Sequence, residues 1–140
     1  MTFSKDEEKK FELKYGDLLI CEGGESGRCA VWTEAQSDIK YQKAIHRARC
    51  KQELILPVYA RFYLQYFKSE GGLKDYISKS TIEHLTGEKL DKVPVVLPPL
   101  SLQQQFTEKI AAIERQKALI NQSIKEVQTL FDCQMEEYFG

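Results

Sequence analysis

A hydrophobic repeat in the C-terminal third of the chain constrains the fold more than any other feature. From Phe106 to Tyr138, a seam position recurs at alternating steps of four and three residues. A seven-residue repeat held over four heptads is typical of a coiled coil, in which the seam packs against another helix. The predicted pairing surface consists of Phe106, Ile110, Ile113, Lys117, Ile120, Ile124, Val127 and Phe131, and Tyr138 extends it.

The predicted helix is long for a chain of 140 residues. At a rise of about 1.5 Å per residue it would span roughly 55 Å, which exceeds the diameter of a domain of this size. We therefore expect the helix to protrude and to pair with a partner. The alternative is a helix that folds back onto its own sheet. The charged Lys117 in the seam costs stability, but it can fix the register or the choice of partner.

A sharp boundary precedes this helix. The β-branched run at residues 93–97 ends at Pro98–Pro99. Because a proline neither donates to a ladder nor fits inside a helix, the chain must turn there. Ser101 and Gln104 then form the S-x-x-Q pattern of a capping box, which predicts the start of a helix. The sequence thus predicts a folded domain in residues 1–100 and a long helix in residues 101–140.

The pattern in residues 1–100 is typical of a small α+β domain. Short apolar or alternating stretches at residues 17–21, 29–32 and 41–50 predict strands. Pro57 is placed for the first turn of a helix that runs to about Ser69, with glycines after it to end the helix. The expected fold class is α+β: a small mixed β-sheet with short packing helices, followed by one long coiled-coil-like helix.

Basic residues are unevenly distributed, although the formal net charge is only −1. The near-zero total argues against a protein covered in basic surface but leaves room for a local patch. In the predicted strand at residues 41–50, Arg47 and Arg49 share one face because alternate side chains point to opposite sides. A row of guanidinium groups can contact phosphates or guanine edges. It can equally be an edge strand that is charged to block aggregation, and these residues alone leave both alternatives open.

Several function classes have little support in the sequence. The four cysteines form no CxxC pair, and His46 and Cys50 are poorly spaced along a strand to share a metal. The glycines after Cys21 lack the Gly-Lys-Ser/Thr of a phosphate-binding loop, and no catalytic constellation is found. We therefore expect no metal, no cofactor and no enzymatic activity. With no apolar stretch of membrane length and no signal peptide, we expect a cytoplasmic protein without a membrane partner.

Three motifs follow one another in a characteristic order. They are GDLLI at residues 16–20, QKAIHRAR at residues 42–49 before a helix that begins at Pro57, and VVLPPLSLQ at residues 95–103. Together they resemble the specificity (S) subunits of type I restriction–modification enzymes. The first two are similar to strands of their target-recognition domains. The third resembles the P-P-L-x-E-Q junction with the conserved helix, although Leu102 stands where glutamate is usual.

The resemblance implies a module that recognises DNA without catalysing a reaction. In such subunits each recognition domain reads half of a split double-stranded DNA site, and two conserved helices pair antiparallel as a spacer. Modification (methyltransferase) and restriction subunits then act on the DNA. By this resemblance, residues 1–100 are a target-recognition domain, expected to be N-terminally incomplete, and residues 101–140 are its conserved helix. A homodimer through this helix would rebuild the spacer.

The candidate DNA-binding residues are basic or polar side chains of the basic strand and of the loops. They are Arg28, Lys40, Lys43, His46, Arg47, Arg49, Lys79, Ser80, Thr81 and His84. The alternative function is an assembly module or truncated remnant, which binds no DNA and docks partner helices through the coiled coil. The near-zero net charge favours this alternative.

Overall fold

A three-stranded antiparallel sheet organises the N-terminal part of the computed structural model, which describes residues 12–34, 44–78 and 83–140. Strand β1 (Asp17–Cys21) lies between β2 (Cys29–Val31) and β3 (Ile45–Arg49). The glycine-rich loop after β1 reverses the chain, and Gly27 adopts φ +81° there, a conformation that favours glycine. The predicted α+β fold class is confirmed. The described strands pair only antiparallel, whereas a mixed sheet was expected.

The register divides the side chains of the sheet between two faces. Leu18 and Ile20 of β1 lie opposite Ala48 and His46 of β3, and the same face carries Val31 of β2. Helix α1 covers this face, and the buried core consists of Leu18, Ile20, Ala60, Leu64, Leu73 and Leu85. Full burial of a leucine or isoleucine is worth about 1.5–3 kcal/mol. A slip by one residue would expose both β1 side chains, so the core fixes the register.

Helix α1 (Pro57–Ser69) has the bounds that the sequence predicts. Its C-terminus is closed by two backbone hydrogen bonds, from Gly71 N–H to Lys68 O at 2.9 Å and from Gly72 N–H to Phe67 O at 2.8 Å. This pair of bonds is the Schellman motif. Gly71 adopts φ +79°, and a Cβ on Gly72 would clash with the Phe67 ring. Both positions therefore require glycine.

The segment before the long helix, residues 91–99, forms no strand despite its β-branched residues. Two tyrosine hydroxyls of α1 hold it instead, since Tyr63 donates to Pro94 O at 2.9 Å and Tyr59 donates to Val96 O at 3.0 Å. The rings of Tyr59 and Tyr63 stack with centroids 6.2 Å apart. The two hydroxyls therefore tether the segment before the long helix to α1.

Two further helices follow, the short α2 (Gly87–Leu90) and the long α3 (Leu100–Phe139). The capping-box prediction is wrong, because α3 begins at Leu100 and Ser101 therefore lies inside its first turn. The Pro99 carbonyl accepts a hydrogen bond from the Leu102 N–H at 2.9 Å. The chain divides into two compact units, Met1–Gln103 and Gln104–Gly140.

Candidate nucleic-acid interface

The sheet face opposite the core, called here the outer face, carries the two arginines of β3. Strand pairing places Arg49 opposite Asp17 and Arg47 opposite Leu19. Leu18 and Ile20 point into the core, so the residues of β1 that alternate with them point to the outer face. The β3 residues paired with those alternating residues point the same way. The described part of β3 thus shows the alternation that the sequence predicts, with both guanidinium groups on one side.

Arg28 belongs to the same face. Its carbonyl accepts a hydrogen bond from the Cys21 N–H at 2.8 Å, which extends the β1–β2 pairing by one residue. The Arg28 guanidinium donates to Glu25 Oε2 at 2.9 Å, and its side chain is 70% exposed. A hydrogen bond to the Cys21 thiol and the charge of Glu25 raise the pKa of Arg28. Arg28 is therefore a charged, accessible member of the outer face.

Arg49 forms a bidentate ion pair with Asp17. Its Nε donates to Oδ1 at 2.7 Å and its Nη2 donates to Oδ2 at 2.8 Å. The Asp17 side chain is only 1% exposed, whereas that of Arg49 is 48% exposed. The pair is a directly opposite cross-strand pair, and two parallel N–H···O bonds orient the guanidinium plane. Arg49 thus has a structural role in β1–β3 pairing that the sequence did not reveal.

The environment of Asp17 favours its ionised form. Burial by itself raises the pKa of a carboxyl group, but here the hydrogen bond from Arg49 opposes it. The Lys14 N–H also donates to Asp17 Oδ2 at 2.8 Å, and the charges of Arg49 and Arg47 act in the same direction. The net result is a pKa for Asp17 below its usual value. The buried carboxylate is thus held ionised by two strands and by the segment before β1.

Arg47 is half-buried and also contacts the segment before β1. Its Nη1 donates to the backbone carbonyl of Glu12 at 2.7 Å. A carbonyl is a neutral acceptor, so this bond orients the guanidinium without cancelling its charge. Arg47 lies on the same outer face as Arg28 and Arg49, and the structure thus brings three of the predicted DNA-binding residues together.

His46 does not join this group, because it lies on the core-side face of β3. Its Nε2 is 2.6 Å from the Leu85 carbonyl, which makes Nε2 the donor in a hydrogen bond to that oxygen. The Leu85 N–H in turn donates to Glu22 O at 2.8 Å. His46 therefore tethers the segment at residues 83–85 to the sheet.

His84 is exposed and lies beside the glycine-rich loop. Its backbone bridges to Gly23 and Ser78, and a Cβ on Gly23 would be 3.3 Å from His84 Nδ1. The buried Ser26 hydroxyl contacts the Glu22 carbonyl at 2.8 Å and the Glu83 carbonyl at 3.0 Å, which ties this loop to the segment before His84. The remaining candidates lie outside the described residues, namely Lys40, Lys43, Lys79, Ser80 and Thr81.

Comparison with known families decides what kind of domain carries this face. Residues 2–129 match the family model of the type I restriction modification DNA specificity domain. The chain belongs to this family. A search of curated proteins gave no match. Because it belongs to this family, the chain has a specificity role in type I restriction–modification, as its three motifs suggested.

The junction motif of this specificity domain is organised by Gln103, which is fully buried. Its Oε1 accepts from the Leu56 N–H at 2.9 Å, and its Nε2 donates to the carbonyls of Leu54 and Pro98, both at 2.9 Å. One donor and two acceptors around it fix the orientation of the amide. The side chain of Leu102, where the family usually has glutamate, is 53% exposed. That departure from the motif thus leaves the buried amide network unchanged.

The sequence indicates Gln103 only as part of the junction motif and does not reveal its structural role. The signal present in the sequence was its place in the junction motif, four residues after Pro99. The three backbone groups that it contacts come from distant or irregular segments. Only the folded structure therefore identifies them.

Metal and thiol chemistry find no support in the described ranges of this specificity domain. Within residues 12–34, 44–78 and 83–140, no three His, Cys, Asp or Glu side chains are grouped to hold a metal ion. Burial raises the pKa of the Cys29 and Cys50 thiols, which disfavours the reactive thiolate. Among the described helices, none combines the length and the apolar character that crossing a bilayer demands.

Proposed function

We propose that this specificity domain recognises a particular sequence in double-stranded DNA through the outer face of its sheet. The observation that carries the proposal is the shared position of Arg28, Arg47 and Arg49 on one face of a domain from a DNA-specificity family. Arginine presents five donors in a planar fork, which suits both phosphate oxygens and the O6 and N7 edge of guanine. The domain itself catalyses nothing, and partner subunits methylate and cleave the DNA.

The three arginines have different parts in this proposal. Arg28 and Arg47 are the principal contacts, because the Arg28 side chain is 70% exposed and Arg47 projects from the same outer face. Arg49 is held in place by Asp17, so the exposed edge of its guanidinium is a rigid hydrogen-bond donor. It helps to orient the DNA more than it contributes positive charge to the outer face. Lys40, Lys43, Lys79, Ser80, Thr81 and His84 supply further contacts from the adjoining segments, whereas His46 acts through its tether to Leu85.

The long helix supplies the assembly function. Its seam side chains from Ile113 onward are largely exposed, as at Ile124 (61%) and Val127 (67%). A homodimer that pairs these seams antiparallel would present two recognition domains to an inverted repeat in the DNA. The paired helices would then form the spacer on which the modification and restriction subunits assemble.

Sequence-specific binding is tested by selecting bound duplexes from a random-sequence pool at moderate salt. The proposal expects enrichment of a short motif, and a homodimer further expects that motif as an inverted repeat. Retention without any enriched motif, vanishing as salt rises, would leave only nonspecific phosphate binding and would contradict sequence recognition.

The arginine assignment is tested with the selected duplex and the variant Arg28→Ala/Arg47→Ala. We expect the affinity to fall about 10- to 100-fold and the salt slope to become less steep by about 1 for each phosphate contact removed. Arg115→Ala/Lys125→Ala on α3 is the charge-matched control, since both residues lie outside the sheet and the seam. Equal losses in the variant and the control would show that net charge alone drives binding.

A second function is favoured by the near-zero net charge: an assembly module that docks partner helices and binds no DNA. Gel filtration with a methyltransferase subunit distinguishes the two. Co-elution with that subunit, without any retention of duplex at low salt, would establish the assembly module and reject the recognition function.

A further inference from the structure

The seam of α3 contains a second polar position. Gln134 follows Val127 by seven residues and so occupies a seam position. Of the seam positions from Ile113 to Tyr138, two are therefore polar, Lys117 and Gln134. Its apolar members are exposed, from 46% for Ile113 to 73% for Tyr138. A shallow groove between Leu119 and Phe131 runs along the middle of this stretch. The two polar positions restrict how a second copy can cover it.

The charge of Lys117 selects the direction of pairing. In a parallel pair in register, each seam residue faces its own counterpart, so Lys117 would face Lys117 of the second copy. Two ammonium groups in a partly desolvated seam repel each other. An antiparallel pair instead brings different residues of the seam together. The antiparallel direction therefore follows from the residues of this helix.

We propose that two copies pair antiparallel with Lys117 of each opposite Gln134 of the other, an inference that rests on the proposed homodimer. A glutamine carbonyl accepts a hydrogen bond from an ammonium group, so the two polar residues satisfy each other. The same register pairs the rest of the stretch with itself: Ile124 faces Val127, Ile120 faces Phe131, and Ile113 faces Tyr138. Apart from the pair of Lys117 and Gln134, all facing residues in this register are apolar or aromatic.

Shifting the two helices by one heptad destroys this match. A shift in one direction places Gln134 opposite Ile110 and Lys117 opposite Val127. A shift in the other direction places Gln134 opposite Ile124. In each case a polar side chain faces an apolar one and gains no hydrogen-bond partner from the second copy, which is less favourable than the pairing of Lys117 with Gln134. The polar pair thus specifies one register among those that bury the same hydrophobic repeat.

The residues that flank the central layers agree with this register. Asn121 of one copy lies beside Gln128 of the other, and Ser123 lies beside Leu130, so no charges are forced together. Glu137 borders the layer that contains Lys117 of the second copy, where a carboxylate is favourable. In the protomer the Lys117 ammonium already contacts the neighbouring Glu114 carboxylate at 3.0 Å, so its charge is accommodated on both sides of the layer.

Cysteine cross-linking measures the register directly. In a Cys133→Ser background, which removes the exposed thiol of α3, Lys117 and Gln134 are kept and we compare Ile120→Cys/Phe131→Cys with the heptad-shifted control Ile120→Cys/Tyr138→Cys. Under mild oxidation we expect disulfide-linked dimer at least ten-fold above the control for the first variant. Both variants keep Cys21, Cys29 and Cys50, so those thiols contribute equally. Dominant cross-linking of the control, or none above background in either, would overturn the proposed register.

The oligomeric state of the unsubstituted chain separates this inference from the function on which it rests. A dimer by sedimentation equilibrium that fails to cross-link between positions 120 and 131 would retain the homodimer and reject the register. A monomer at every concentration would reject the homodimer and the register together, and would leave the DNA-binding face to be tested by selection.

Discussion

Gln103→Leu is expected to lower the free energy of unfolding of the Met1–Gln103 unit by about 3 kcal/mol. Leucine has a similar volume but cannot hydrogen-bond, so the Leu56 N–H and the carbonyls of Leu54 and Pro98 would lose their partner. Urea denaturation followed by tryptophan fluorescence isolates this unit, because Trp32 is the only tryptophan in the sequence. The helical signal at 222 nm reports mainly on α3.

Gln104→Leu is the matched control for this prediction. It makes the same chemical change one residue further along the same helix, at an exposed position. Its effect on the free energy of unfolding should stay within about 0.5 kcal/mol. Equal midpoints for the two variants would show that the buried amide network does not stabilise the junction.

Arg49→Ala is expected to destabilise the same unit by about 2–3 kcal/mol at neutral pH. The substitution removes both hydrogen bonds of the ion pair and leaves Asp17 buried beside an apolar methyl group. Losing one partner of a buried pair costs about 3–5 kcal/mol, and we reduce that figure because the Arg49 side chain is half-exposed. The measurement is again urea denaturation followed at Trp32.

The destabilisation caused by Arg49→Ala should depend on pH. The pKa of Asp17 is lowered in the folded protein, so the ionised carboxylate stabilises the fold above its unfolded pKa of about 3.9. That stability is lost as the pH falls through the lower, folded pKa. In acid, Asp17 becomes protonated and Arg49 has no charge to pair with. The stability difference between wild type and Arg49→Ala should therefore shrink as the pH decreases from 7 to about 3.

Arg49→Lys and Asp17→Asn complete the test. Lysine keeps the charge but loses the bidentate fork, so its stability should lie between those of wild type and Arg49→Ala. If the double variant Asp17→Asn/Arg49→Ala is destabilised by the full sum of its single variants, the two side chains are not coupled. A difference between wild type and Arg49→Ala that stays constant with pH would likewise contradict an ionic role.

Local signals in the sequence predicted the elements of the fold well. The bounds of α1 follow from a proline at its start and glycines at its end, because both act through the backbone of their own residues. Strand β1 follows from a continuous apolar run, and the division of β3 between two faces follows from simple alternation. The heptad repeat predicted a long C-terminal helix, which α3 confirms as Leu100–Phe139.

Contacts between distant segments could not be predicted in the same way. The partner of Arg49 depends on the β1–β3 register, which places a residue 32 positions away directly opposite it. The tether from His46 to Leu85 spans 39 positions, and it gives His46 a structural contact that the sequence did not indicate. At the junction, the capping box would make Ser101 the N-cap and Leu102 the first helical residue, whereas the helix begins two residues earlier, at Leu100, directly after the prolines.

The ion pair across β1 and β3 also bears on how this domain can change over evolution. Arg47 projects from the outer face, away from the core, so another side chain can replace it without repacking the core. Arg49 is constrained, because any neutral replacement strands the Asp17 carboxylate. Among related domains with this sheet, positions 17 and 49 should covary, whereas position 47 should diversify independently. A domain of this kind can thus change its binding preference through position 47 while positions 17 and 49 preserve the pairing of β1 with β3.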